Sequence, residues 1–185
     1  MVTAGNVTYR LQKPFMVVAT QNPIEQEGTF LLPEAQKDRF LMRMNLGYPS
    51  LADEKQMVER FQLRHPIDTL QPVMTPDRIL KCQEAVRKVE VPTKVNDYIL
   101  EIVLATRGHP ALLLGSSPRG SLGLFRAAQA TAAIEGNKSV SAAQVKALAQ
   151  KVLTHRLIVR REEKFRVVKV EDVVAEILIN IPLPS

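Results

Sequence analysis

Asn22, Arg39 and Arg119 are the side chains in this 185-residue sequence whose types and settings suit work on a phosphoryl group. Asn22 stands in the polar stretch Thr20-Gln21-Asn22-Pro23, directly after the apolar run FMVVA at residues 15–19. Its amide offers a donor and an acceptor at a fixed point, which suits holding a water or a phosphate oxygen. A turn-forming Asn before Pro is the plainer reading. Arg39 follows a short helical pattern, and its permanent charge and planar fork fit phosphoryl oxygens, including those of a neighbouring subunit. From the residues alone, a surface ion pair with Asp38 or Glu34 is the favoured reading. Arg119 comes just after Ser117-Pro118, where a helix start would add free amides and the macrodipole to the arginine charge. The plainer alternative is a helix cap with an exposed arginine beside it.

Other chemistries find less support. His65, His109 and His155 have no second ligand at metal spacing, so no metal site is expected. Ser116, Ser117 and Ser121 have no histidine or lysine arranged to activate them. The glycine-bearing stretch 115–123 lacks the Gly-Lys-Ser/Thr ending of a phosphate loop. A net charge of +6 permits an acidic partner, and basic residues are densest in HRLIVRREEKFRVVKV, residues 155–170. Glu162 and Glu163 interrupt that run and Phe165 is its one aromatic, so it reads as a solvated charged turn in preference to a nucleic-acid site.

The elements that must carry these residues divide into two kinds. Val2-Thr3 and Val7 to Tyr9 flank Ala4-Gly5-Asn6 as a hairpin, and a chain starting within a hairpin suggests a missing beginning. Residues 15–19 have the pattern of a strand buried on both faces, with Asn22 at its carboxyl end, where ligands of open α/β sheets sit. Pro33 starts a short helix through Asp38. Residues 40–46 alternate, with Met42, Met44 and Leu46 on one side, and read as a second, more exposed strand.

From Ser50 the pattern turns helical. Ser50 caps a helix bearing Met57, Val58 and Phe61, and a proline-rich linker follows. Thr75-Pro76 opens a helix with Ile79, Cys82 and Val86, where Cys82 reads as a buried structural thiol. Further helices carry Val95, Ile99, Ile102 and Val103, then Leu122 to Ala132 behind Ser117-Pro118 with a glycine stop at Gly136, then Val145 to Val152 behind a Ser141/Gln144 capping box. A last amphipathic stretch holds Val173 to Ile181, and residues 157–170 suggest a small β-ribbon.

With 45% hydrophobic residues and mean hydropathy near zero, the chain has the composition of a soluble folded protein. It has no run long enough to span a membrane, its first residues do not resemble a signal peptide, and its single cysteine allows no internal disulfide, so a cytoplasmic protein is expected.

The stretch ATQNPIEQEGTFLLPEAQKDRF followed by GYPS, with LGSSPRGSLGLFRAAQA later in the same order, resembles the MoxR family of AAA+ ATPases. The resemblance implies a mixed α/β, helix-dominated fold, a P-loop core remnant over residues 1–49, a connecting helix and linker over 50–75, and a helical lid over 76–185. It implies that Asn22 is the sensor 1 residue orienting the attacking water, that Arg39 is the arginine finger completing a neighbour's site, and that Arg119 is the sensor 2 arginine tying the lid to the nucleotide. Lys37 replaces the apolar residue usual before the Asp-Arg pair. The Walker A and Walker B segments, which in the family come before the hairpin, are not in this sequence. ATP and Mg2+ would therefore be cofactors of a complete, ring-forming protein, expected as a hexamer, that remodels a protein client. This chain alone would bind nucleotide weakly and not hydrolyse it. The alternatives are a stand-alone helical protein-binding module without catalysis and, last, nucleic-acid binding through residues 156–169.

Overall fold

The computed structural model describes residues 2–21, 32–62, 65–160 and 168–184, which fall into two compact units. One comprises Met1–Ala19 with Asn45–Gln83; the other comprises Thr20–Met44 with Glu84–Ser185.

In the first unit, β1 (Val2–Ala4) and β2 (Val7–Tyr9) pair antiparallel with Val2 opposite Tyr9, as the hairpin pattern predicts. Gly5 takes φ of 61°, a left-handed setting that costs glycine no Cβ clash. In the second unit, α1 (Glu34–Lys37) is a single turn behind Pro33. In the first, α2 (Leu51–Phe61) starts where Ser50 accepts from the Asp53 amide at 3.2 Å. The helix α3 (Pro76–Val86) begins at the expected Thr75-Pro76.

Two expected strands do not form. Residues 15–19 have no regular structure and their side chains lie in solvent, Met16 being 79% exposed. A strand is completed by a neighbour's hydrogen bonds, and none of the described residues pairs with this segment. Residues 40–46 are likewise irregular; only Met42 of the expected apolar side packs on a core, while Leu46 is 96% exposed. Cys82 is exposed, not buried, because the residues of α3 are all at least partly open to solvent.

The core belongs to the second unit. It is built by α4 (Thr93–Gly108), α5 (Pro118–Ile134), α6 (Ala142–Leu153) and α7 (Val170–Asn180). Ile99, Ile102 and Val103 of α4, Leu124 and Ala128 of α5, Val145, Ala149 and Val152 of α6 and Val174 of α7 are essentially buried. Each large one contributes roughly 1.5–3 kcal/mol. The helix ends follow local signals: the Ser141/Gln144 capping box is fully made, and Gly136 takes φ of 77° just beyond α5.

A strand pair lies beside the bundle. β3 (Leu112–Leu114) pairs antiparallel with β4 (Ile158–Val159), so the β-forming part of residues 157–170 joins a segment 44 to 47 positions upstream instead of its own ribbon. The charged turn with Glu162, Glu163 and Phe165 lies outside the described residues.

Candidate functional site

The start of α5 is held by several small interactions. Ser117 accepts from the Arg119 amide at 3.2 Å, and Pro118 occupies the first turn, where no amide is needed. Behind it, the Ser116 amide donates to Thr106 Oγ1 at 3.0 Å, and Arg107 Nε donates to the Ser116 carbonyl at 3.0 Å. The loop before α5 is thereby tied to the last turn of α4. Gly115 must be glycine here, because a Cβ would meet the backbone of Thr106 and Arg107 within 2.7 Å.

Asp38, at the C-terminal end of α1, is the centre of the polar cluster. Ser117 Oγ donates to both carboxylate oxygens at 3.1 and 3.0 Å, Arg119 Nη1 donates to Oδ2 at 2.9 Å, and Arg156 Nη1 donates to Oδ1 at 3.0 Å. Burial pushes the carboxyl pKa up, but the hydrogen bonds from Arg119, Arg156 and Ser117 outweigh it and hold Asp38 below its ordinary value. The two arginines differ in setting: the Arg119 side chain is 56% exposed and that of Arg156 only 2%.

Arg156 ends the 3₁₀ turn Thr154–Arg156 that continues α6. Its Nε donates to the Val152 carbonyl at 2.7 Å, and its Nη2 donates to the carbonyls of Phe40 at 2.6 Å and Leu41 at 3.2 Å. Nη1 also donates to the Asp38 carbonyl. Burial lowers its pKa, and Asp38 opposes that shift; a guanidinium stays charged regardless. His155 adds a contact of 3.0 Å from Nε2 to the Phe40 carbonyl, which makes Nε2 the protonated nitrogen because a carbonyl can only accept. Among the described residues its Nδ1 is buried without a partner, and burial holds the ring below its usual pKa, which favours the neutral form. The Arg43 amide donates to the Lys151 carbonyl at 2.8 Å. Residues 38–43 are thus bound along the end of α6 by backbone and side chain together. Gly123 leaves room for this: a Cβ there would stand 3.0 Å from Val152 and 3.4 Å from the Arg156 fork.

Of the residues singled out in the sequence, Arg119 stands at the start of α5 and Arg39 follows α1 directly, with an exposed side chain. Both partners of the plainer reading of Arg39 are engaged elsewhere, Asp38 by Arg119 and Arg156 and Glu34 by Lys37. No ion-pair partner for Arg39 exists among the described residues. The structure brings Arg119 to the residue next to Arg39, although 81 positions separate Asp38 from Arg119. Asn22 lies outside the described residues. Arg156 was not singled out, and its place in a basic run suggests a solvated side chain; the structure buries it instead. The signal available was its i, i+4 spacing from Val152, which continues the buried face of α6. No group of three or more His, Cys, Asp or Glu able to hold a metal occurs among the described residues, and no helix there is long and apolar enough to cross a membrane.

Comparison with known proteins assigns both segments. Residues 1–42, which include Asn22 and Arg39, match the ATPase family associated with various cellular activities, AAA. Residues 104–177, which include Arg119 and Arg156, match the AAA lid domain. The uncharacterized protein YeaC of Bacillus subtilis is 42% identical over 99% of this chain and 57% of its own length. Chaperone MoxR1 of Mycobacterium tuberculosis is 34% identical over 100% of this chain and 51% of its own. A crystal structure from Cytophaga hutchinsonii, whose description proposes an ATPase, superposes over 100% of this chain and 58% of that one with a TM-score of 0.90 at 32% identity. The chain therefore spans about half the length of the curated relatives it matches. With an AAA segment at its start, an AAA lid toward its end and MoxR-type relatives along its whole length, the chain belongs to the MoxR-like AAA+ proteins.

Proposed function

We propose that this chain is the sensor, finger and lid portion of a ring-forming MoxR-like ATPase that couples ATP hydrolysis to remodelling of a protein client. Residues 1–49 would complete the α/β core, 50–75 connect it, and 76–185 form the lid. ATP and Mg2+ are bound by the complete protein, and this portion supplies Asn22 to orient water, Arg119 to read the phosphates and Arg39 to act on the neighbouring subunit's nucleotide. The observation that carries the reading is the shared carboxylate: Asp38 holds Arg119 at the head of a 17-residue helix while the adjacent Arg39 is left exposed without an ion-pair partner among the described residues. A phosphate carries more charge than a carboxylate, so Arg119, over half exposed, can exchange one anion for the other.

The test is turnover by the full-length protein. Arg39→Ala should lower hydrolysis by a factor of about 10³ to 10⁵, the range of arginine fingers in other nucleotide triphosphatases, with nucleotide affinity preserved. Arg119→Ala should weaken nucleotide binding as well. Hydrolysis undiminished by Arg39→Ala would end the assignment.

A further inference from the structure

Arg156 makes no hydrogen bond to the side chain of Arg39 or of Arg119, yet among the described residues it has the most extensive set of hydrogen bonds at the site. From inside the bundle it reaches Asp38, Phe40 and Leu41 on both sides of Arg39, while its own Nε is fixed to Val152. His155 and the Arg43 amide attach the same segment to the end of α6 at two more points. The Arg156 contacts are to backbone carbonyls and one carboxylate, and a planar fork can satisfy several such acceptors at once where a lysine ammonium cannot keep the same geometry. The residue between them, Arg39, has its backbone pinned and its side chain exposed, without an ion-pair partner among the described residues.

We infer that Arg156 is a positioning residue: it binds the turn carrying Arg39 to the lid, so that the direction in which Arg39 points follows the lid. The inference rests on the role given above to Arg39 for its catalytic consequence, but the anchoring itself does not. Since Asp38 also accepts from Arg119, an anion that draws Arg119 away leaves the turn held by Arg156. The anchor thus survives the exchange of partners at the phosphate-facing side.

Two measurements test this. In the chain itself, Arg156→Lys retains the charge facing Asp38 but loses the fork. The Arg43 amide should then exchange with solvent at least tenfold faster while the Ala149 amide in the centre of α6 keeps its protection, and Asp38→Asn should move the Arg43 amide in the same direction should the lysine variant fail to fold. In the full-length protein, Arg156→Lys should reduce kcat at least tenfold with nucleotide affinity within twofold of the wild type, and adding Arg39→Ala should reduce it no further than Arg39→Ala alone. Unchanged protection at Arg43 in the folded lysine variant, or losses at 156 and 39 that multiply, would overturn the inference. Faster exchange at Arg43 together with full turnover in Arg39→Ala would establish the anchor and remove Arg39 from the reaction.

Discussion

Asp38 carries two arginines of unequal depth, and this difference sets unequal energies that can be measured separately. Asp38→Asn preserves shape and removes the charge. Toward Arg119 little should be lost, because an exposed ion pair contributes about 0–1 kcal/mol. Toward Arg156 the loss is larger: breaking a buried pair from one side costs about 3–5 kcal/mol, since the remaining charge stays desolvated. The Phe40, Leu41 and Val152 carbonyls still solvate the guanidinium, which brings the expected cost below that range, to about 2–3 kcal/mol. Double-mutant cycles by urea unfolding, pairing Asp38→Asn with Arg119→Ala and then with Arg156→Met, which removes the charge but keeps the apolar stem, isolate the two couplings. The Arg156 coupling should exceed the Arg119 coupling by at least about 1 kcal/mol. Equal couplings, or a larger one to Arg119, would refute the distinction drawn from burial.

Stability should fall in two stages on acidification. His155 has a folded pKa below its unfolded 6.5, so its contribution is complete above that pH and is lost as pH falls toward the folded value; Asp38, depressed below 3.8, contributes fully above 3.8 and is lost below it. His155→Gln should remove the upper stage from a plot of urea midpoint against pH, and persistence of that stage would assign it elsewhere. Gly123→Ala gains helix propensity but pushes on Val152 and Arg156, whereas Gly108→Ala meets nothing within 4 Å. Overpacking costs about 1–3 kcal/mol against a helical gain of about 1 kcal/mol, so the change at 123 should lower the thermal midpoint relative to that at 108. The reverse order would show the contact to be compliant.

The bundle was legible because its signals are local. Ser50, Thr75-Pro76, Ser117-Pro118 and the Ser141/Gln144 box each announce a helix start within four residues, and the apolar spacing of α4 to α7 names the buried face. The strands expected at 15–19 and 40–46 do not form because an apolar run, like alternation, records what a segment can bury, not who lies beside it. In the second case the acceptors a neighbouring strand would satisfy are taken by the Arg156 fork and His155. That substitution joins residues more than a hundred positions apart, and no window of sequence contains it. β3 escaped notice for a related reason: three leucines between Ala111 and Gly115 are too short a run to separate strand from loop until β4 arrives. Arg119 and Arg39 were visible as types in context, but the carboxylate that connects the first to the neighbour of the second was visible only as an ordinary acid in an Asp-Arg pair.

Gly115 has its effect away from its own position. Its missing side chain lets the chain lie flat on the closing turn of α4, and four residues later that same chain presents an arginine to solvent. A single methyl group at 115 would act like a shim under a hinge plate: small in volume, and felt as a change of aim at the head of α5.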